Sequence, residues 1–190
     1  MFKLLLKGAT IFYYYTIQQV FNLFARTYWY IRIFVTGKWE ETTDICKNTA
    51  EEVHDFTALN NIYMTFKYQY DGIFNKVWVF DRWPTWVPTM RIIAERGTSD
   101  NCDGAVVFAQ YLYKALIKKH PEAKDELKIK LRIMVPYDSW KNFAYKTHYV
   151  LEVVHEKEKW SAIYSSGKIY SMTIEEFVPK YVKTDKYIIW

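Results

Sequence analysis

Between residues 102 and 119 apolar side chains recur at three- and four-residue spacing: Cys102, Ala105, Ala109, Leu112 and Leu116. That spacing places them on one face and predicts an α-helix. Ser99, Asp100 and Asn101 precede it, and their short side chains accept hydrogen bonds from the open N–H groups of a helix start. Gly97 suits the turn that leads in. Lys118, Lys119 and His120 match the negative C-terminal end, and Pro121 stops the run. Cys102 therefore closes the buried stripe at the helix N-terminus, beside a polar turn.

Upstream, Ile17, Phe21, Phe24, Tyr28, Ile31 and Val35 form a second helical register. A helix is also predicted within 45–62, with Ile45, Thr49, Val53 and Phe56 on one side. From Tyr63 to Tyr70 the pattern alternates and reads as an extended segment ending at Asp71-Gly72. In VWVFDRWPTWVPTM, Pro84 and Pro88 argue against a regular helix or a central strand. This tryptophan-rich stretch is expected to be a rigid aromatic loop, either a substrate wall or a plug of the core.

Downstream the period changes to two. In KIKLRIMVPY, Ile129, Leu131, Ile133 and Val135 face one way and Lys128, Lys130 and Arg132 the other, predicting a half-buried strand. THYVLEVVHE and WSAIYS read as a hairpin of two further strands, with a turn at Ser166-Gly167 after them. IEEFVPKYV is expected to be a short helix broken at Pro179, and KYIIW a closing edge strand. Helices followed by an antiparallel sheet give an α+β class, with the cysteine helix packed on the sheet.

With 190 residues and 51% hydrophobic content, the chain is long enough for one sizeable core. The charge is unevenly placed. Residues 1–39 hold five of the 26 basic side chains and no acid, leaving 21 basic against 21 acidic in residues 40–190. The main domain is neutral, so no nucleic-acid partner is expected. The chain divides into a basic, aromatic N-terminal helical segment, 1–39, and a domain, 40–190. Eighteen uncharged residues lie between Lys7 and Arg26, but Gln18, Gln19, Asn22 and several Thr and Tyr make them a poor membrane span. No signal-peptide pattern is present. A cytoplasmic or virion-associated location is expected. Residues 1–36 have three readings: a core or capping helix, an amphipathic helix on an anionic membrane, or a contact helix for a protein assembly.

The two cysteines, Cys46 and Cys102, show neither a disulfide framework nor, with the four histidines, a zinc spacing. No metal and no cofactor are expected. Cys102 is the candidate nucleophile, since a helix N-terminus favours the thiolate. Asp103 opposes this, so a base is required. Of the histidines, His148 starts a strand and can meet a helix N-terminus at the sheet end. His155 lies at the far end of that strand, and His120 follows the far end of the helix.

NCDGAVVFAQYLYKAL, then THYVLEVV, then KWSAIYSSG together resemble the core of the transglutaminase-like cysteine peptidase superfamily over roughly residues 44–170. The resemblance implies a papain-like α+β fold, with Cys102 as nucleophile and His148 as its base. It also implies a thioacyl intermediate, a peptide or protein substrate, and an orienting carboxylate after the histidine. That third position falls at Ser165 or Tyr164, and neither is an acid. Asp138 or Glu152 would have to supply the charge instead. Trp83 or Trp86 is the candidate indole for the oxyanion, beside the Cys102 N–H. Two functions follow. One is a cysteine hydrolase of peptidase or amidase type. The other is a catalytically weakened or inactive member with a structural or binding role, such as a phage virion component docking through its N-terminal helix.

Overall fold

The computed structural model describes residues 18–68, 86–96, 99–100, 102–138, 148–183 and 186–189, with 4, 5, 8, 9, 12 and 16 before them. Helix α1 spans Gln18–Val35. It ends where Gly37 takes a φ of +64°, a conformation glycine adopts without a Cβ clash, and Lys38 N–H reaches back to the Ile33 carbonyl at 2.9 Å. Helix α2, Trp39–Glu52, follows at once. The single helix expected across 45–62 is two. Val53 leaves helical geometry, and Asp55 caps α3, Phe56–Met64, by accepting the Ala58 N–H at 2.7 Å. Tyr63, expected in an extended segment, is therefore helical; among the described residues of that segment Lys67–Tyr68 (β1) form a strand, and its end at Asp71-Gly72 lies outside the described residues.

β1 pairs in parallel with β2, Ser99–Asp100, so part of the polar lead-in to the cysteine helix is a short strand. Between them α4 covers Trp86–Arg96. Pro88 does not prevent it, because a proline in the first helical turn removes only an N–H that has no partner inside the helix. Helix α5, Cys102–Lys119, follows the predicted bounds. Lys119 Nζ and His120 Nε2 reach the carbonyls of Glu51 and His54 at 2.7 Å, tying the C-terminal end of α5 to the chain leaving α2. A short turn of helix, α6 (Ala123–Glu126), leads into the sheet.

Five strands form that sheet in the order β6-β5-β4-β3-β7, with antiparallel neighbours throughout. They are β3, Leu127–Pro136; β4, His148–His155; β5, Trp160–Ser165; β6, Lys168–Tyr170; and β7, Tyr187–Ile189. Helix α7, Ile174–Val182, carries a capping box built from Thr173 and Glu176. It runs through Pro179 rather than breaking there.

Two clusters divide the core. One joins Tyr149, Leu151, Val153, Ala162 and Tyr164 to α5, α3 and α4. The other, on the opposite face, joins Met134, Val150 and Ile163 to Ile174, Phe177 and Val178 of α7. All eight residues of β4 but Val154 are buried. A strand covered on both faces shows no polar alternation, so its phase is hidden in the sequence.

Candidate functional site

The predicted stripe of α5 is buried along its length: Cys102, Ala105, Ala109, Leu112 and Leu116 are each at most 6% exposed. So are Val106, Phe108 and Tyr113, because α5 is enclosed by the sheet on one side and by α3 and α4 on the other. Cys102 opens the helix and lies in the cluster that contains Tyr63, Phe66, Phe108 and Tyr149. Both cysteines are buried, and neither is in a disulfide.

His148 starts β4, as expected, and its Nε2 shares a hydrogen bond of 2.9 Å with Ser165 Oγ. Both residues are buried, at 4% and 3% exposure. The imidazole ring stacks on Tyr181 of α7, with centroids 4.6 Å apart and planes at 21°. Tyr181 in turn stacks on Phe177. Burial drives the imidazole down to about 4, so it is neutral at physiological pH.

The register determines which face each candidate occupies. His148 stands directly opposite Met134 on β3, and Met134 belongs to the α7 cluster. Tyr149, one residue on, belongs to the α5 cluster with Cys102. A step of one residue along a strand exchanges the faces. His148 and Ser165 therefore project towards α7, while Cys102 packs against the face that carries Tyr149 and Tyr164. The structure brings together His148 and Ser165, two of the residues expected at the site. The strand-start side chain turned towards α5 is a phenol, Tyr149.

Tyr164 and Ser165, the two alternatives for the third position, separate in the same way. Tyr164 lies on the α5 face and takes part in a buried hydroxyl chain. Tyr113 Oη donates to Tyr164 Oη at 2.7 Å, and Tyr164 Oη donates to Asn60 Oδ1 at 2.6 Å. Burial pushes the Tyr164 phenol up to about 12, and raises Tyr63 and Tyr113 as well. These groups hold protons rather than exchange them near neutral pH. Nothing in the sequence pattern pointed to this chain, because its members come from α3, α5 and β5. Tyr164→Phe is expected to cost about 1–3 kcal/mol, since it leaves the buried Tyr113 hydroxyl without its acceptor. Chemical denaturation of Tyr164→Phe beside Tyr113→Phe checks this, and a smaller loss for Tyr164→Phe than for Tyr113→Phe would contradict it.

Glu152, a possible substitute acid, is engaged by Arg132 at 2.7 Å. Trp83 lies outside the described residues, as do Gly97, Thr98 and Asn101 of the polar turn; Trp86 is the first residue of α4. Among the described residues no cluster of three or more His, Cys, Asp or Glu side chains is placed to hold a metal ion. The remaining histidines, His54, His120 and His155, sit in local pairs with Asp55, Glu122 and Glu126. Set against protein-family models, curated proteins and solved structures, the chain matches none of them.

Proposed function

We propose that this chain is a transglutaminase-like domain that keeps the scaffold without the thiol chemistry and works as a binding protein, docking through its N-terminal helix α1. The observation that carries this reading is the surroundings of His148: the ring is buried, its Nε2 shares a hydrogen bond with the Ser165 hydroxyl at 2.9 Å, and its face stacks on Tyr181 of α7. A thiol needs its base within hydrogen-bond reach to be activated. The partner that His148 does have, Ser165, offers a hydroxyl and no charge to stabilise an imidazolium. The side of the molecule that is built for contact is α1, whose outward face is apolar.

A cysteine hydrolase is the second reading. It is favoured by the position of Cys102 at the first residue of an 18-residue helix, where the helix dipole supports a thiolate. One experiment separates the two: the pH dependence of iodoacetamide alkylation of Cys102, with Cys46→Ser as background and His148→Gln beside it. Docking predicts slow alkylation titrating near or above the ordinary thiol value of about 8.5, unchanged in His148→Gln. A thiol titrating well below that value and returning to it in His148→Gln would establish the hydrolase instead.

A further inference from the structure

Helix α1 is apolar on two opposite sides. Its inner side is anchored by Ile33, 1% exposed, and packs on α4 and α2. Its outer side carries Val20, Leu23, Phe24, Ile31, Phe34 and Val35, each more than half exposed, with Tyr28 in the same row. The spacing of three and four residues makes them one continuous stripe. This is the register legible in the sequence, and it faces away from the body of the protein rather than into it. Tyr30, Ile31, Phe34 and Trp39 line a groove of about 470 Å³ at the C-terminal end of the stripe. Single exposed apolar residues need no explanation, but a continuous row of this length marks a surface made to be covered.

Charge identifies what covers it. Residues 1–39 contain five cations and no acid, whereas the rest of the chain is balanced. Two acids on neighbouring helices meet cations of this segment and of α4. Glu41 of α2 is held by Lys38 and Arg91, and Glu95 of α4 by Arg32 and Arg91. The covering surface must therefore be apolar where it meets the stripe and anionic around it. A second copy of the helix supplies the first and not the second, since residues 1–39 of either copy carry basic side chains and no acid. An anionic bilayer supplies both.

The aromatic content points the same way. Phe24, Tyr28, Trp29, Tyr30, Phe34 and Trp39 lie along α1 and its exit, and the Arg32 guanidinium sits 4.7 Å over the Trp29 ring. Such rings favour the boundary between headgroups and acyl chains. No described helix is long and apolar enough to cross a membrane. From these observations, and resting on the docking function proposed above, we infer that α1 lies flat on an anionic lipid surface, with the stripe from Val20 to Val35 inserted and the α+β domain held above it.

The test is co-sedimentation of the full chain with vesicles of phosphatidylcholine alone, and with about 30% phosphatidylglycerol. Binding is expected to the anionic vesicles, weakening as salt is raised. The double variant Phe24→Asp/Phe34→Asp is expected to bind at least about tenfold more weakly, with an unchanged circular dichroism spectrum because both positions are exposed. Met64→Asp, at an exposed apolar site on α3, is expected to bind as the parent does. Failure of the parent to bind anionic vesicles would overturn the inference, as would equal binding by the double variant. Concentration-dependent self-association that the same double variant abolishes, without vesicle binding, would reassign the stripe to an interface between copies. The docking function fails separately: a low-pKa Cys102 thiol dependent on His148 would remove it whatever the vesicles show.

Discussion

Gly167→Ala is expected to destabilise the protein by about 3 kcal/mol or more, which is a large loss for a single methyl group. Gly167 has a φ of +77° and follows Ser166, also at positive φ (51°), in the tight turn between β5 and β6. A Cβ there would lie 2.1 Å from the Phe66 carbonyl oxygen. The obstacle is backbone, so it cannot rotate away; either the turn or the segment after α3 must move. The Gly167 N–H also donates to the buried Tyr63 hydroxyl at 3.3 Å, so a shift would strand that phenol. Gly37→Ala provides the comparison. Its φ is similar at +64°, but nothing lies within 4 Å of the added Cβ, and about 1 kcal/mol from the left-handed backbone alone is expected. Denaturant midpoints of the two variants measure the difference. Equal losses would mean that the Phe66 contact contributes nothing.

The second large effect concerns acid. Burial takes the His148 imidazole from its ordinary 6.5 down to about 4. In the unfolded chain it takes up a proton as the pH falls past 6.5, while in the folded protein it does so only near 4. Between those values the unfolded state binds more protons, so stability rises with pH across the window. This contribution is full above pH 6.5 and is lost as the pH falls through 4. At 1.36 kcal/mol per pKa unit it amounts to about 3 kcal/mol. His148→Gln removes the titration while its amide can still bond Ser165 Oγ. The variant is expected to be less stable at pH 7 but to show a flatter dependence between pH 6.5 and 4. Carboxylates titrate equally in both proteins, so the difference between the two profiles isolates His148. Parallel profiles would show that protonation of this ring does not oppose folding.

Both results turn on residues whose types were conspicuous in the sequence and whose surroundings were not. Ser166-Gly167 announces a turn, because glycine tolerates positive φ. Its approach to Phe66, a hundred residues earlier, is a fact of packing alone. His148 announces a strand start, and its distance in sequence from Cys102 suits a Cys–His pair. Whether the ring faces the cysteine helix depends on the phase of β4. That phase is unreadable because both faces of the strand are buried, so Tyr149, Val150 and Leu151 are equally apolar. In β3, where one face is partly solvated, the alternation of Lys128, Lys130 and Arg132 with Ile129, Leu131 and Ile133 assigned the faces as they are found.

The same contrast holds for the N-terminal helix. Its period placed Phe24, Tyr28, Ile31 and Val35 on one face, and that is how they lie. A hydrophobic stripe is ordinarily the buried one, yet here Ile33, off the stripe, makes the inward contact and the stripe is left outside. Periodicity says which residues share a face and cannot say which face meets the core when both sides carry apolar groups.

By itself the sequence determined the α+β class, the cysteine helix with Cys102 in its first turn and its stop before Pro121, the hairpin, and the concentration of positive charge before residue 40. These follow from local patterns: a period near 3.6 or 2, caps, turns and net charge. Only the tertiary structure decided that His148 bonds Ser165 and stacks on α7, that Tyr113, Tyr164 and Asn60 form one buried chain, and that the α1 stripe faces outward. Each is a choice between two faces of the same element. Such a choice is settled by what the remaining elements bury against it, which no window along the chain contains.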